Sequence, residues 1–427
     1  MKYFFILGNH PALSLAELSA VLGSGNLAAN SEEAAVFGLE ETRAGLDVVR
    51  LMARLGGTIK MGIVSHNSKL ITHNLNRESG VGNMEDVLKE IEKLLPMEKK
   101  SEGKFKFGIS VYGKIKLNEK QLGMEVKKNL KERGISARWV ISREKQLSSV
   151  VVGTNNLTPR DGETAARGME IVIMKIGEEI FIGKTLAVQP FRELSFRDYG
   201  RPGRDDQSGM LPPKLAQIMI NLAGIKTDES DDGNSILLDP FCGSGTVLTE
   251  AILMGFQNVI GSDISEKAVA DTKRNMEWTK KNFQSRVLGT IFNFQLFNRS
   301  ATELSKFVKQ ESVDAIITEP YLGPQRGNVD IRKIKKELES LYGQALREFK
   351  KVLKPDGKVV MIWPVFKFSG EWAQVAPDLN GFKIINPLKS PGEPGGFKKG
   401  ITNRGTLIYG REGQKVWREI VVLKKDI

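Results

Sequence analysis

Residues 236–246 read Ile-Leu-Leu-Asp-Pro-Phe-Cys-Gly-Ser-Gly-Thr, and this stretch decides the fold of the second half of the chain. The apolar run at 236–238 predicts a buried strand that ends at Asp239. A short loop with two glycines follows, and the apolar pattern of 245–253 predicts a helix. A loop between a buried strand and a helix is typical of the ligand-binding edge of an open α/β sheet.

Strand and helix patterns alternate through the rest of this half. Strands are predicted at 259–262, 290–297, 313–318 and 358–363. Helices are predicted at 214–223, 266–280 and 331–353. This alternation predicts a doubly wound, Rossmann-like parallel sheet. Two last strands, at 406–409 and 416–423, flank a glycine-containing turn and predict a closing antiparallel hairpin.

The first half of the chain has its own α/β patterns. A strand at 3–7 and a helical pattern after Pro11 predict a small α/β unit that extends to Gly57. Helices are then predicted at 84–95 and 121–133, and strands at 105–112, 137–141 and 170–176. The segment 189–213 is rich in proline, glycine and arginine, so we interpret it as a linker.

The composition predicts a folded cytoplasmic protein without a metal site. The chain is 40% hydrophobic and 27% charged, and the apolar run at 3–7 is far shorter than the roughly 20 residues that span a bilayer. It is also too short for a secretory signal. Cys242, the only cysteine, cannot form an internal disulfide, as expected in a reducing compartment. Three histidines (His10, His66 and His73) and one cysteine cannot build a Cys/His zinc site.

The positive charge permits a polyanionic partner. The formal net charge is +12, and two stretches carry a large excess of basic residues. Residues 104–145 contain twelve Lys/Arg against four acids, and residues 383–425 contain ten against three. These stretches are either solvated faces or surfaces that bind phosphates, and only motifs elsewhere can favour the second reading.

The loop after Asp239 has the features of a nucleoside site. Gly243 and Gly245 remove side chains where a ligand would approach the backbone. Asp263 ends the next predicted strand, where a carboxylate can accept hydrogen bonds from both ribose hydroxyls. The chain has no Gly-x-Gly-x-x-Gly motif and no Walker lysine, which argues against a dinucleotide or a triphosphate.

The string Asp-Pro-Phe-Cys-Gly-Ser-Gly closely resembles the S-adenosylmethionine loop of amine-directed nucleic-acid methyltransferases. The resemblance implies S-adenosylmethionine as the cofactor and gives Cys242 a place in the loop wall. The residues that it assigns to the cofactor are Asp239, Phe241, Cys242, Gly243, Gly245, Thr246, Asp263, Ile264, Ser300 and Ala301. Relatives commonly have Asp-Ala at the last two positions, so the adenine contact there is expected to be weaker or replaced.

The catalytic candidates are Glu319, Pro320 and Tyr321, directly after the strand predicted at 313–318. Methyl transfer to an exocyclic amine needs hydrogen-bond acceptors on the amine hydrogens, which Glu319 and the Pro320 carbonyl can supply. Tyr321 can pack against the base. Amine methyltransferases carry Asp/Asn-Pro-Pro-Tyr/Phe here, whereas this chain has Glu-Pro-Tyr-Leu. The carboxylate is therefore one methylene longer, and the aromatic residue stands one place earlier.

The whole layout resembles the THUMP-domain tRNA guanosine N2-methyltransferases, which modify the guanosine at position ten of tRNA. The matching segments are 7–18, 107–113 and 211–223. The resemblance implies four parts: an N-terminal ferredoxin-like unit (1–57), a THUMP-like RNA-binding domain (58–185), a linker (186–210) and the methyltransferase domain (211–427). It implies RNA contacts from Lys104, Lys106, Lys114, Lys116, Lys127, Lys128, Lys131, Arg133 and Arg138.

The sequence therefore predicts methyl transfer from S-adenosylmethionine to the N2 amine of a tRNA guanosine. Two alternatives remain open. One is a methyltransferase for another amine, in DNA adenine or cytosine, rRNA guanosine or a protein glutamine. The other is an RNA-binding protein with a decayed active site, which the Glu-Pro-Tyr-Leu and Ser300 departures would favour. The need for a small activating subunit, the number of methyl groups added and the oligomeric state are also open.

Overall fold

The computed structural model of the chain forms two units. The described residues are 1–40, 47–65, 70–71, 84–97, 103–158, 167–204, 210–225, 234–283, 292–324, 330–368, 371–388 and 400–426. The first unit comprises Met1–Pro11, Leu22–Ala53 and Thr58–Phe191. The second comprises Ala12–Val21, Arg54–Gly57 and Arg192–Ile427. His66, His73 and the first two residues of the strand predicted at 290–297 lie outside the described residues.

The first unit is built on a mixed sheet. Its strands are β1 (Lys2–Leu7), β2 (Leu27–Asn30), β3 (Ala34–Gly38), β4 (Thr58–Val64), β5 (Leu70–Ile71), β6 (Phe105–Tyr112), β7 (Ala137–Val140), β8 (Gly168–Ile176) and β9 (Glu179–Val188). The strand order is β2-β3-β1-β4-β9-β8-β6-β7, and β5 pairs with β9. Within it, β6 runs parallel to β7 and β8. The strands predicted for the N-terminal unit and for the THUMP-like domain thus share one sheet.

The chain contains ten described α-helices, of which the first five precede Phe191. They are α1 (Pro11–Leu22), α2 (Val48–Arg54), α3 (Met84–Leu94), α4 (Glu119–Glu132) and α5 (Ser149–Thr154), and a short 3-10 helix spans Ser24–Asn26. Apolar side chains at alternate positions of β6, from Phe107 to Val111, pack against α3 and α4. This follows from the period of two along a strand. In contrast, α1 belongs to the second unit, where Leu13 and Ala16 share a core with Leu215 and Met219.

The second unit contains the predicted Rossmann-like sheet. Its strands are β10 (Ile236–Asp239), β11 (Asn258–Asp263), β12 (Asn293–Asn298), β13 (Val313–Thr318), β14 (Leu353–Phe368), β15 (Glu371–Gln374), β16 (Phe382–Ile385), β17 (Leu407–Tyr409) and β18 (Val416–Lys425). The order is β12-β11-β10-β13-β14-β18-β16, with β15 on β14 and β17 on β18. The first five strands in this order pair in parallel, and β18 is antiparallel to β14 and to β17. The parallel sheet and the closing hairpin are confirmed.

Helices cover both faces of this sheet. They are α6 (Phe191–Tyr199), α7 (Pro213–Leu222), α8 (Thr246–Leu253), α9 (Glu266–Asn282) and α10 (Ile331–Val352), with a 3-10 helix at Ala301–Lys306. Leu237 shares a core with α7 and α8, and its neighbour Leu238 shares the other core with α10. Alternate residues of a strand point to opposite faces, which is why both are apolar. Among the described residues, no helix is long and apolar enough to cross a membrane.

The segment interpreted as a linker, 186–210, contains secondary structure among its described residues. Its first residues complete β9, and α6 follows. Arg197 of α6 is buried and donates two hydrogen bonds to Glu250, at 2.6 and 3.0 Å. The proline, glycine and arginine content gave no sign of this ion pair, because Glu250 lies 53 positions after Arg197. The predicted four-part division remains a proposal.

Candidate active site

The residues predicted for the cofactor and for catalysis meet at one cavity of about 660 Å³ in the second unit. It lies at the carboxyl ends of β10, β11 and β13, where the strand order changes direction, and ligands of open α/β sheets bind at such a position. The predicted residues that line it are Asp239, Phe241, Cys242, Gly243, Thr246, Asp263, Ile264, Ser300, Ala301, Glu319, Pro320 and Tyr321. Met210, Leu211 and Leu322 also line it, and the sequence had not singled them out.

The loop after β10 is held from two sides. Asp263, at the end of β11, accepts the Gly243 backbone N–H through Oδ2 at 2.9 Å. Its Oδ1 accepts the N–H of Ser265 at the same distance. From α9, the Thr272 hydroxyl donates to the Gly243 carbonyl at 2.8 Å. Each carboxylate oxygen of Asp263 has a second lone pair, so the group can still accept two ribose hydroxyls.

Both loop glycines have a left-handed φ, of 51° at Gly243 and 81° at Gly245, but their surroundings differ. A Cβ on Gly243 would meet no atom within 4 Å, and Gly243 lines the cavity, so its missing side chain leaves space for a ligand. Gly245 is not among the residues that line the cavity, so its predicted contact with the cofactor stays a prediction. It has a φ of 81°, and a Cβ there would lie 2.8 Å from the Thr272 side chain. Gly245 therefore serves backbone conformation and the packing of the loop on α9.

Asp239 is buried at the end of β10 and faces two other acids. Its Oδ1 accepts hydrogen bonds from the Thr318 hydroxyl at 2.7 Å and from the Phe241 N–H at 3.2 Å. Burial, assisted by the charges of Asp263 and Glu319, raises the pKa of Asp239 to about 7, although the two hydrogen bonds lower it in part. The carboxyl group therefore changes charge near neutral pH.

Glu319 forms an ion pair that the sequence did not predict. The Arg418 Nε lies 2.5 Å from Glu319 Oε1. Both side chains keep some access to solvent, with exposed fractions of 17% for Arg418 and 13% for Glu319. Arg418 lies on β18, opposite Pro364 of β14. No local sequence motif surrounds Arg418, and only the pairing of β18 with β14 brings it near Glu319.

The backbone after Glu319 is fixed from α10. The buried Tyr342 hydroxyl donates to the Tyr321 carbonyl at 2.6 Å. The Tyr321 side chain itself is 59% exposed at the cavity, so it is available to a base. Pro320 lines the cavity beside it. The three predicted catalytic residues are thus held in a row along one wall.

The remaining predicted cofactor residues have structural partners as well. Cys242 is buried, and burial raises the pKa of its thiol well above the usual range, which argues against a nucleophile. The Ser300 hydroxyl lies 2.8 Å from the Thr302 hydroxyl and accepts the Thr302 N–H, as the N-cap of the 3-10 helix. Ala301 is buried beside it.

The loop also depends on the segment before α7. Asn275 of α9 donates to the carbonyls of Ser244 and Gly203, at 2.7 and 2.8 Å. Arg201, which is 5% exposed, donates through Nη1 to the Thr246 hydroxyl at 2.5 Å. The loop is therefore supported by two residues that no motif of the sequence predicted.

Comparison with known proteins assigns the chain to a family. A model described as an RMKL-like methyltransferase domain matches residues 201–368, and a model described as a DNA methylase matches 68–274. A probable tRNA (guanine(10)-N2)-dimethyltransferase from Methanothermococcus thermolithotrophicus is 32% identical over 123 residues, covering 27% of this chain and 67% of the relative. The chain belongs to the tRNA (guanine(10)-N2)-dimethyltransferase family. The fold agrees with the predicted cofactor, S-adenosylmethionine.

Other members of the tRNA (guanine(10)-N2)-dimethyltransferase family match over a smaller share of their length. The enzyme from Methanothermobacter thermautotrophicus is 32% identical over 156 residues, which cover 36% of this chain and 39% of the relative. The one from Methanocaldococcus jannaschii is 30% identical over 190 residues, covering 43% and 48%. The matches thus span less than half the length of these two relatives.

One solved structure has a similar fold and aligns with the whole of this chain. The crystal structure of TrmN from Thermus thermophilus covers 100% of both chains with a TM-score of 0.51. Its sequence is 20% identical to this chain, so the likeness concerns the fold.

All nine basic residues predicted to contact RNA lie in the first unit, and five of them form two groups. Lys127, Lys128 and Lys131 are exposed on α4. Lys106 and Arg138 are register partners on β6 and β7. Since Phe107 next to Lys106 packs towards α4, this pair lies on the opposite face of the sheet. Lys104, Lys114 and Lys116 are also exposed.

Arg133 differs from the other predicted RNA contacts. Its Nη1 donates to the Leu95 carbonyl at 3.2 Å, and its Nη2 donates to the Glu92 carbonyl at 3.2 Å. These oxygens lie at the C-terminal end of α3, where carbonyls lack partners within the helix. Arg133 is therefore engaged in holding α3 against α4.

Proposed function

We propose that this protein methylates the N2 amine of a tRNA guanosine, at position ten, with S-adenosylmethionine as the methyl donor. The observation that carries the proposal is the single cavity at which Glu319 faces the loop 239–246. A cofactor bound at the loop and an amine held by Glu319 would be close enough to react. The family and the methyltransferase domain support the same reaction. Position ten is taken from the relatives, which are named tRNA (guanine(10)-N2)-dimethyltransferases. The same names specify the addition of two methyl groups.

The chain's own residues fit a nucleoside cofactor. When bound, S-adenosylmethionine supplies a methyl group activated by a sulfonium. Asp263 would accept the ribose hydroxyls. Ile264, which is 81% exposed at the cavity, would be covered by the adenine, with Phe241 and Ala301 as further apolar walls. Asp239 and the loop backbone would position the rest of the cofactor.

Glu319 and its neighbours would hold the acceptor base. Within the described residues, Oε1 of Glu319 is engaged by Arg418, and Oε2 has no protein partner. Oε2 and the Pro320 carbonyl can each accept one hydrogen of the N2 amine, which directs the nitrogen lone pair out of the ring plane. Tyr321 would stack on the base. The transfer forms an N–C bond, breaks an S–C bond and releases one proton from N2 to water.

RNA binding would rest on the first unit. The exposed lysines of α4 and the flanking strands would contact phosphates, and such contacts recognise shape and not sequence. The target base would have to leave its stack to reach Glu319, as in other enzymes that modify bases. We also propose a cytoplasmic location and a THUMP-like role for residues 58–185.

The test uses purified protein, methyl-labelled S-adenosylmethionine and an unmodified tRNA transcript, followed by digestion to nucleosides. We expect labelled N2-methylguanosine, which Glu319→Ala abolishes and Glu337→Ala, on the exposed side of α10, preserves. Parallel reactions offer DNA or protein in place of tRNA, and label found only in these would move the assignment to another amine. A decayed site would be favoured if the protein binds the cofactor but labels no nucleoside, and if no added partner protein restores methylation. Activity of the chain alone would show that no activating subunit is required.

A further inference from the structure

We propose that Arg418 and Glu319 together recognise the Watson–Crick edge of guanine, which makes Arg418 a specificity-determining residue. The inference rests on the proposed function and goes beyond it, because the proposed function requires only an acceptor for the amine. The observation behind it is the 2.5 Å bond between Arg418 Nε and Glu319 Oε1, in a pair that is buried only in part.

The pair has unused hydrogen-bonding groups. Among the described residues, Oε2 of Glu319 and both terminal Nη groups of Arg418 have no hydrogen-bond partner, since the one bond of each side chain joins Nε to Oε1. A guanidinium has five N–H donors, so four remain after this bond. An arginine that served only to hold Glu319 would need no donors beyond the first.

The position of Arg418 brings these donors to the site. Glu319 lines the 660 Å³ cavity. Arg418 lines an adjoining cavity of about 310 Å³, together with the hairpin residues 413–416. Leu322 lines both cavities, so the two are neighbours, and the ion pair joins a lining residue of one to a lining residue of the other. A base held by Glu319 would therefore lie next to the guanidinium.

The order of groups matches guanine. Along its Watson–Crick edge guanine presents N2–H, N1–H and O6, which are two donors followed by an acceptor. The two oxygens of Glu319 can accept from N2–H and N1–H, and an Nη group of Arg418 can donate to O6. The bond between Arg418 and Glu319 places donors of one side chain beside acceptors of the other, which is the order that N1–H and O6 require.

Adenine and cytosine do not match this order. Beside the exocyclic amine, adenine presents the N1 lone pair and cytosine the N3 lone pair. Each lone pair would face the second oxygen of Glu319, which is also an acceptor, so the contact is repulsive. A site that hydrogen-bonds a substrate group rejects strongly an analogue that lacks it. The ion pair thus favours guanine over the other amine-bearing bases.

The experiment compares two tRNAs that differ at one base. One carries guanosine at the methylated position, and the other carries 2,6-diaminopurine there, which keeps the 2-amino group but replaces O6 by an amine and lacks N1–H. For the wild-type protein we expect kcat/KM to be at least about tenfold higher with guanosine. Arg418→Met should lower kcat/KM for both tRNAs, and its loss on the guanosine tRNA should be at least about tenfold larger than its loss on the diaminopurine tRNA. Arg411→Met, at an exposed arginine in the turn of the same hairpin, is the matched control and should leave the ratio unchanged.

Each outcome decides between the proposals. Labelled guanosine with equal losses on both tRNAs in Arg418→Met would overturn the inference alone, because a merely structural role lowers both values together. A wild-type ratio near one would do the same. No labelled guanosine with the wild-type protein would overturn the proposed function, and the inference with it. If Arg418→Met melts early or fails to bind S-adenosylhomocysteine, Arg418→Lys is used in its place. Its ratio of kcat/KM for the guanosine tRNA to that for the diaminopurine tRNA should lie between the wild-type ratio and one, because lysine keeps the charge without the paired donors.

Discussion

Thr318 donates its hydroxyl to Asp239 over 2.7 Å, joining the last residue of β13 to the last residue of β10. These strands are neighbours in the sheet, and each is followed by one of the two motifs of the site. The hydrogen bond therefore fixes the acceptor segment relative to the cofactor loop. Both side chains are buried, so little water competes with it.

Thr318→Val should loosen this link. Valine has nearly the same shape, so the change removes the donor and leaves Asp239 Oδ1 with the Phe241 N–H alone. We expect a loss of about 1–3 kcal/mol in stability and weaker binding of S-adenosylhomocysteine. Melting and calorimetric titration measure the two effects. Thr249→Val is the matched control, since the buried Thr249 hydroxyl bonds only to carbonyls at 245 and 246 of its own helix turn. Equal effects in both variants would contradict the prediction.

Asp239→Asn should remove a pH dependence. The pKa of Asp239 is about 7 in the folded protein and 3.8 as its ordinary value, so between these values the folded state binds more protons than the unfolded state. By linkage, the contribution of Asp239 to stability falls as the pH rises through this window and is fully lost above about pH 8. The melting temperature of the wild type minus that of Asp239→Asn should thus decrease from pH 5 to pH 8.

The exposed Asp356→Asn serves as the comparison for Asp239→Asn, and its difference from the wild type should stay nearly constant over the same range. A difference between the wild type and Asp239→Asn that is flat, or that grows with pH, would show that Asp239 is ionised throughout.

The sequence predicted the parts of the site that depend on neighbouring residues. Local signals, namely apolar periodicity and acids at strand ends, located the strand that ends at Asp239 and the loop after it. The same signals located Glu319 directly after β13. Arg418 was missed because it lies 99 positions from Glu319, and only the antiparallel pairing of β18 with β14 brings it near. The close approach of Thr272 to Gly245 was not predicted either, since it depends on how α9 packs.

Asp263→Ala should weaken cofactor binding more than Asp263→Asn. Alanine removes the acceptors for the Gly243 and Ser265 N–H groups and for the ribose, whereas asparagine keeps one oxygen. Hydrogen bonds to a charged group contribute about 1.5–3 kcal/mol, so we expect about ten- to a hundredfold weaker binding of S-adenosylhomocysteine for alanine. Glu266→Ala, an exposed acid three residues later, removes the same charge and should leave the affinity unchanged. A comparable loss with Glu266→Ala would mean that general charge, and not position, decides affinity.

Removal of Lys127 and Lys131 should weaken tRNA binding through lost phosphate contacts. Both are exposed on α4 and take part in no ion pair among the described residues. We expect the double alanine variant to lower tRNA affinity and to reduce the slope of log Kd against log salt by about one to two. Lys89 and Lys93 have the same spacing on α3 but pair with Glu85 and Glu90, so their double alanine variant should change the slope less. Filter binding from 50 to 300 mM salt, roughly the range over which such contacts are screened, measures both. Equal slopes for the two variants would show that net charge, and not the α4 surface, attracts the RNA.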